Sequence, residues 1–294
     1  WNPGQAENAV VIEIRHKETR QVLRVVEADS LVGADLRDDI LDGADLRGAD
    51  LSGAWLQEAD LMGADLAGAT LRGAILIRTQ LDKADLTGAL FEESKLSDGS
   101  PGSGAVLTNC RMRGVRLLSC DMRYVDLHGS DLSDALIDRT DLTDACFREG
   151  KLSGSRIRGS LLIETLMSGC DLSGADIENT HMNGVKLFRA RLDGARLGGG
   201  GDRIPVVLNL ANMREASLVG ADLHGASLRD VNLHHANLRG ANLEGAQLMG
   251  AVLRHADVTD ADFKDVALVT VNVTFANFSK AKNAQVPAFK QNVR

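Results

Sequence analysis

From Leu31 onward a large apolar residue returns at every fifth position, through Leu36, Leu41, Leu46, Leu51 and Leu56 to Leu96. Two places before each stands something small, usually Ala, and the intervening positions are polar. A period of five is neither the 3.6 of a helix nor the alternation of an ordinary strand, so it is read as a repeat before local propensity is considered. The stretch from Gly43 to Ala54, reading Gly-Ala-Asp-Leu-Arg-Gly-Ala-Asp-Leu-Ser-Gly-Ala, is the most regular part. The frame resumes at Leu107 and holds to Leu197, then resumes at Leu208 and holds to Phe278. If the apolar and small residues of each pentapeptide point inward, the repeat builds the walls of a narrow tube. Ala44 and Ala49 suit such a wall, because overpacking a tight core costs about 1–3 kcal/mol. Leu36, Leu46, Leu51, Leu127, Leu172, Leu223 and Leu243 are then core residues.

The A-[DN]-L-x-G pattern resembles the pentapeptide-repeat family, over roughly residues 29 to 280. The resemblance implies an all-β chain folded as a right-handed quadrilateral β-helix of about 12 coils, with one pentapeptide per side. On that reading residues 29–278 form the solenoid, with loop insertions near 97–106 and 198–207. Residues 1–28 are a polar leader and a β-hairpin cap, since Val10–Arg15 and Gln21–Val26 are β-rich runs around a short polar turn. A solenoid end left bare exposes apolar side chains and unpaired backbone, which is the reason to expect a cap. Residues 279–294 lose the period and are expected to cap the other end or to pair two rods as a homodimer.

Both interruptions advance the frame by eleven residues instead of ten. Counting each interruption as one side gives about 12.5 coils and a rod about 60 Å long, at about 4.8 Å per coil. The same count puts Leu96 and Leu197 on one side, with both loops leaving one edge about 24 Å apart. Asp98 and Pro101 in the first loop and Asp202, Arg203 and Ile204 in the second are its candidate contact residues. A tolerated insertion explains these Gly-rich segments equally well.

Net charge is −8, and aromatic residues make up only 3% of the chain, which suits a tube filled by Leu and Ala better than a globular core. The acidity is local: residues 27 to 96 hold 15 Asp and Glu against 6 Lys and Arg, while the rest of the repeat is close to neutral. Over about 17 Å of rod, duplex DNA carries about ten phosphate charges, a similar density. Asp45, Asp50, Asp60 and Asp65 belong to this segment, but Asp before the central Leu is also an ordinary outward turn residue. Trp55 and Ile75 occupy that normally polar position twenty residues apart, with Ile77 beside them, and are expected to form an exposed apolar patch. Arg111, Asp131, Lys151, Asp171 and Arg191 stack with alternating sign, a stabilising column, and Asn212, Asn232 and Asn272 are expected to continue it. Asp39 is the odd member of the small inward slot, a carboxylate that needs a partner if buried.

The residues form no catalytic constellation, so no enzymatic activity, metal or cofactor is expected. His235 and His255 stand twenty apart with His234 adjacent, which reads as an exposed polar ladder rather than a ligand set. The periodic aspartates line a solvated surface without a cleft to shift their pKa values. The Gly runs lack the GK[ST] ending of a phosphate loop, and no basic stripe interleaved with aromatics suggests nucleic-acid binding. Cys110, Cys120, Cys146 and Cys170 lack metal spacing, and the first, second and fourth sit in the small inward slot, so a reducing cytoplasm is expected. No run of about 18 apolar residues suggests a membrane span, and no signal peptide is legible.

Well-understood members of the family protect bacterial type II topoisomerases from quinolones or peptide toxins as acidic, DNA-like rods, some with projecting loops. The resemblance therefore implies a non-catalytic binding protein whose partner is DNA gyrase or topoisomerase IV. This chain departs from those members in using Leu where they often have Phe, in its hairpin, and in its near-neutral distal two thirds. A structural or scaffolding rod is the alternative.

Overall fold

The computed structural model describes residues 10–288. Strands β1 (Ile12–Arg15) and β2 (Val22–Val26) form an antiparallel hairpin, and everything after it is built from stacked coils. Each coil pairs with the next in parallel at a spacing of twenty residues, as in Asp35 with Trp55 and Trp55 with Ile75. At five residues per side this is a four-sided β-helix. Most sides are too short to count as strands. One face is regular enough to form a five-stranded parallel sheet, ordered β3 (Leu90–Glu92), β4 (Arg116–Leu118), β5 (Leu136–Asp138), β6 (Arg156–Arg158) and β7 (Asp176–Glu178).

The five-residue period follows from two hydrogen bonds. The amide three places after each central residue donates to that residue's carbonyl and turns the corner, as Ala44 does to Leu41 at 3.0 Å. The central residue's own amide donates to the coil above, as Leu36 does to Trp55 at 2.8 Å. The second corner residue takes φ near +60°, which explains Gly48 and Gly53 there and Asp38 or Glu58 elsewhere. Asp or Asn before the central residue accepts from the amide two places on, as Asp60 does from Met62 (3.0 Å) and Asn232 from His234 (3.1 Å). The acceptor oxygen is what the corner needs, so Asp and Asn alternate freely there.

The tube is filled as expected. Leu36, Leu51, Leu127, Leu172 and Leu243 are fully buried, and Leu46 and Leu223 nearly so. Several hydroxyls in the small slot donate to the carbonyl of a central residue in the preceding coil, as in Thr79 to Leu56 (2.7 Å) and Thr165 to Leu142 (2.9 Å). The hairpin covers the first coil: the Asp45 amide donates to the Arg15 carbonyl (2.7 Å), the Lys17 amide donates to Gly43 (2.8 Å), and Ile14 joins the core. Beyond Phe278, Ala281, Ala284 and Val286 pack against the last coil. The remainder of the tail, Phe289 included, and residues 1–9 lie outside the described residues.

The loop count differs from the sequence expectation. Across the first interruption Gln80 pairs with Val106, and across the second His181 pairs with Val207, so each interrupted coil spends 26 residues instead of 20. The corner bonds close over the insertions, Ala105 to the Leu96 carbonyl (2.8 Å) and Val206 to Leu197 (3.1 Å). Each loop is therefore six extra residues in one corner and uses up no side. Leu197 stacks in the column of Phe91 and Leu208 in that of Leu96, so the loops leave adjacent corners and not one edge. The same shift places Asn212 above Lys186, and Ser217 is the residue that follows Arg191 in the alternating column.

Candidate interaction surface

The first coils carry the acidic surface, and the structure neutralises much of it locally. Asp45, Asp65 and Asp85 stack in one column. Each meets a different arginine: Arg20 reaches Asp45 from the hairpin (2.8 Å), Arg47 contacts Asp65, and Arg111 meets Asp85 from the coil above (2.9 Å). Asp65 is buried beneath Arg47; burial raises its carboxyl, but the guanidinium and the Ala67 amide outweigh that and hold it below the ordinary range. Arg72 pairs with Glu92 (2.5 Å) and Arg78 with Glu58 (3.1 Å). Asp50 and Asp60 accept instead from Ser52 and from the Met62 amide, and the Ser52 hydroxyl lowers the Asp50 pKa.

Asp39 is half-buried, and burial raises its pKa against the pull of Arg24, whose Nε lies 3.1 Å away. The two charges approach without the alignment of a hydrogen bond, leaving the Asp39 Oδ2 atom without a donor. The expected partner is thus a cation from the hairpin.

Trp55 and Ile75 stack as neighbours in successive coils. Trp55 is 44% exposed, while Ile75 and Ile77 are half-buried, so the apolar surface is narrower than the sequence suggests. Arg37 lies over the indole with its guanidinium carbon 4.9 Å from the ring centroid. Asp35 holds that arginine by two contacts, of 2.8 and 2.6 Å, and the Arg37 hydrogen bond pulls the Asp35 carboxyl down to about 2. Sequence reasoning missed Arg37; its signal is the spacing, since it follows Asp35 by two positions in the coil beneath Trp55. The patch joins Trp55, Arg37 and Ile75, and Trp and Arg are among the residues enriched in binding hot spots.

The loops do not extend as arms. In the first, Ser97 and Ser103 are buried and share a hydrogen bond of 2.8 Å, and the Asp98 amide donates to Ser103. The hydroxyls of Ser100 and Ser103 hold the exposed Asp98 carboxyl down at about 2. Pro101 is exposed at the tip. The second loop is pinned by Arg203, which meets Asp176 at 2.7 Å and Glu178 at 3.2 Å on β7. Asp202 stays exposed and Ile204 is 56% exposed. The structure thus brings Trp55, Ile75 and Ile77 together near the hairpin end; the first loop rises in the very next coil, where Lys95 stacks on Ile75 and the Arg78 amide donates to the Ser103 carbonyl (3.1 Å), while the second loop lies several coils further on and at another corner. It also gathers His234, His235 and His255 into one cluster, where the sequence suggests a ladder of two.

The coils, the corner bonds and the inward slot are the structure that a five-residue repeat specifies, and comparison with known proteins agrees. The pentapeptide-repeat family profile matches residues 30–66, 59–98, 103–137, 165–199, 207–245 and 246–282. The chain belongs to the pentapeptide-repeat family. Among solved structures it is similar to HetL, a pentapeptide repeat protein involved in heterocyst differentiation regulation in Nostoc sp. strain PCC 7120, at 28% identity over 72% of this chain and 87% of that one, with a TM-score of 0.28. It is similar to full-length QnrB1, a plasmid-mediated fluoroquinolone resistance protein, at 18% identity over 76% and 92%, with a TM-score of 0.30. A pentapeptide repeat protein of the Arabidopsis thaliana thylakoid lumen aligns at 26% identity over 45% and 70%, with a TM-score of 0.24. No curated protein sequence gave a significant match. Among the described residues no helix is long and apolar enough to cross a membrane.

Proposed function

We propose that the protein is a non-catalytic binding rod whose first coils form a contact surface for a protein partner, and that this partner is a bacterial type II topoisomerase in the cytoplasm. The observation that carries the reading is the cluster of Trp55, Arg37 and Ile75 on a rigid wall, bordered by the carboxylates Asp35 and Glu58. The wall is preorganised by coil-to-coil hydrogen bonds, so binding orders few side chains. The topoisomerase version rests on the family resemblance and on the acidic bias of this segment. Its acidic column is largely paired with arginine, so recognition through the Trp55 cluster is favoured over continuous mimicry of a phosphate backbone. A gyrase supercoiling assay with a quinolone tests this: the rod is expected to restore supercoiling. Absence of both rescue and gyrase binding removes the topoisomerase reading.

A second reading, a scaffolding rod, is favoured by the paired charges themselves, because Asp–Arg columns of this kind stabilise a solenoid without any partner. Under it, Trp55→Asp changes neither binding nor activity in cells.

A further inference from the structure

We propose that His234, His235 and His255 form a binding site for one divalent transition-metal ion of the zinc, copper or nickel class. The three rings come from two successive coils on one corner. His235 and His255 stack face to face, with centroids 4.7 Å apart and planes 6° apart, and His234 stands edge-on to both at 4.3 and 5.7 Å. One nitrogen from each ring lies within 4.8 Å of the other two. The Nδ1 atom of His234 is shielded from solvent and has no hydrogen-bond partner, a nitrogen left over by the protein's own bonding.

The backbone is already fixed in place. His235 donates its amide to the Arg254 carbonyl and His255 to that of Thr274, each at 3.0 Å, and both residues sit in the left-handed corner position at φ 59° and 57°. Only the imidazoles must move. A tetrahedral ion at about 2.0–2.1 Å from each ligand holds the nitrogens about 3.3 Å apart, which ring rotation about the side-chain bonds reaches from the observed spacing. His235 is exposed and the other two are half-buried, so the rings are free to tilt and a fourth position stays open to water or to a donor from outside.

The surroundings select the type of ion. All three donors are imidazole nitrogens, which suit zinc, copper and nickel and not the oxygen-seeking calcium or magnesium. Arg214 and Arg254 flank His234 in its column, and Glu215, next to His235, is engaged by Arg189 at 2.7 Å. Positive neighbours disfavour an ion held by charge alone and leave one held by directed nitrogen bonds. The Phe275 ring stacks on His255 at 4.9 Å and closes the upper side of the cluster.

Isothermal titration with zinc chloride at pH 7.5 tests the proposal on the full chain, on His235→Ala, on His255→Ala and on the triple alanine variant, with His181→Ala as a control elsewhere on the rod. Circular dichroism checks that each variant folds. One equivalent of zinc is expected to bind the parent and His181→Ala alike, with at least about tenfold weaker binding in each single variant, since even outer-shell changes cost that much. Excess calcium or magnesium should leave the titration unchanged. Zinc uptake by the triple variant equal to the parent's, or single variants that bind like the parent, overturns the proposal.

Discussion

Two residues of every pentapeptide enter the tube, and what stands in the small inward slot or the corner sets the local stability. Leu127 is fully buried, so Leu127→Ala is expected to lower the unfolding free energy by about 2–5 kcal/mol in urea titrations. A melt unchanged from the parent would mean that the side chain does not fill the tube. Gly104 shows a different constraint. A Cβ there would lie 2.2 Å from the Tyr124 carbonyl oxygen, so Gly104→Ala should cost about 1–3 kcal/mol by displacing the first loop. Asp39 is governed by pH. Its folded pKa is raised above the unfolded one, so its contribution is favourable below the unfolded value and is lost as pH rises through the folded value. Asp39→Asn should therefore gain stability over the parent at pH 7 and show little difference near pH 4, read from urea unfolding at both. At this scale the sequence was nearly sufficient, because a strict period of five names every inward position and makes Asp39 stand out. What it does not name is the partner: Arg24 comes from a different element and Arg37 reaches Trp55 across a coil.

At the scale of the element, the hairpin was legible from two β-rich runs, but the path of the loops was not. An advance of eleven residues divides equally well into two sides and one extra residue or into one side and six. Only the bond from the Ala105 amide to the Leu96 carbonyl, which closes a corner over the insertion, decides for the second. The six-residue insertion has a direct consequence. Deleting residues 99–104 joins Asp98 to Ala105 and restores Leu-Ser-Asp-Ala-Val-Leu, an uninterrupted pentapeptide frame with Asp at a corner position that Asp134 and Asp144 already occupy. The deletion variant should keep the parent's circular dichroism spectrum and melt within a few degrees of it. Loss of cooperative unfolding would show that the loop replaces a side. The histidine cluster was half legible for a related reason: twenty-residue spacing put His235 under His255, while the edge-on approach of His234 to both rings shows only in the structure.

The whole molecule is a long stack with a covered first coil, and part of the charge of its acidic segment is settled by arginines from the hairpin and from neighbouring coils. Composition alone showed the acidic bias of residues 27 to 96, yet it concealed how much of that charge is met by arginines, three of which, Arg20, Arg24 and Arg111, lie outside the segment. On the proposed reading a partner meets a rigid wall marked by one aromatic anchor, and truncating an anchor of this type typically costs about 2 kcal/mol or more of binding, roughly thirtyfold in affinity. The most direct measurement is the dissociation constant for purified gyrase of the parent rod and of Trp55→Ala, with melts confirming that both are folded. Binding by the parent that weakens at least about tenfold in the variant is the expected result; a parent that does not bind, or a variant that binds as tightly, contradicts the account.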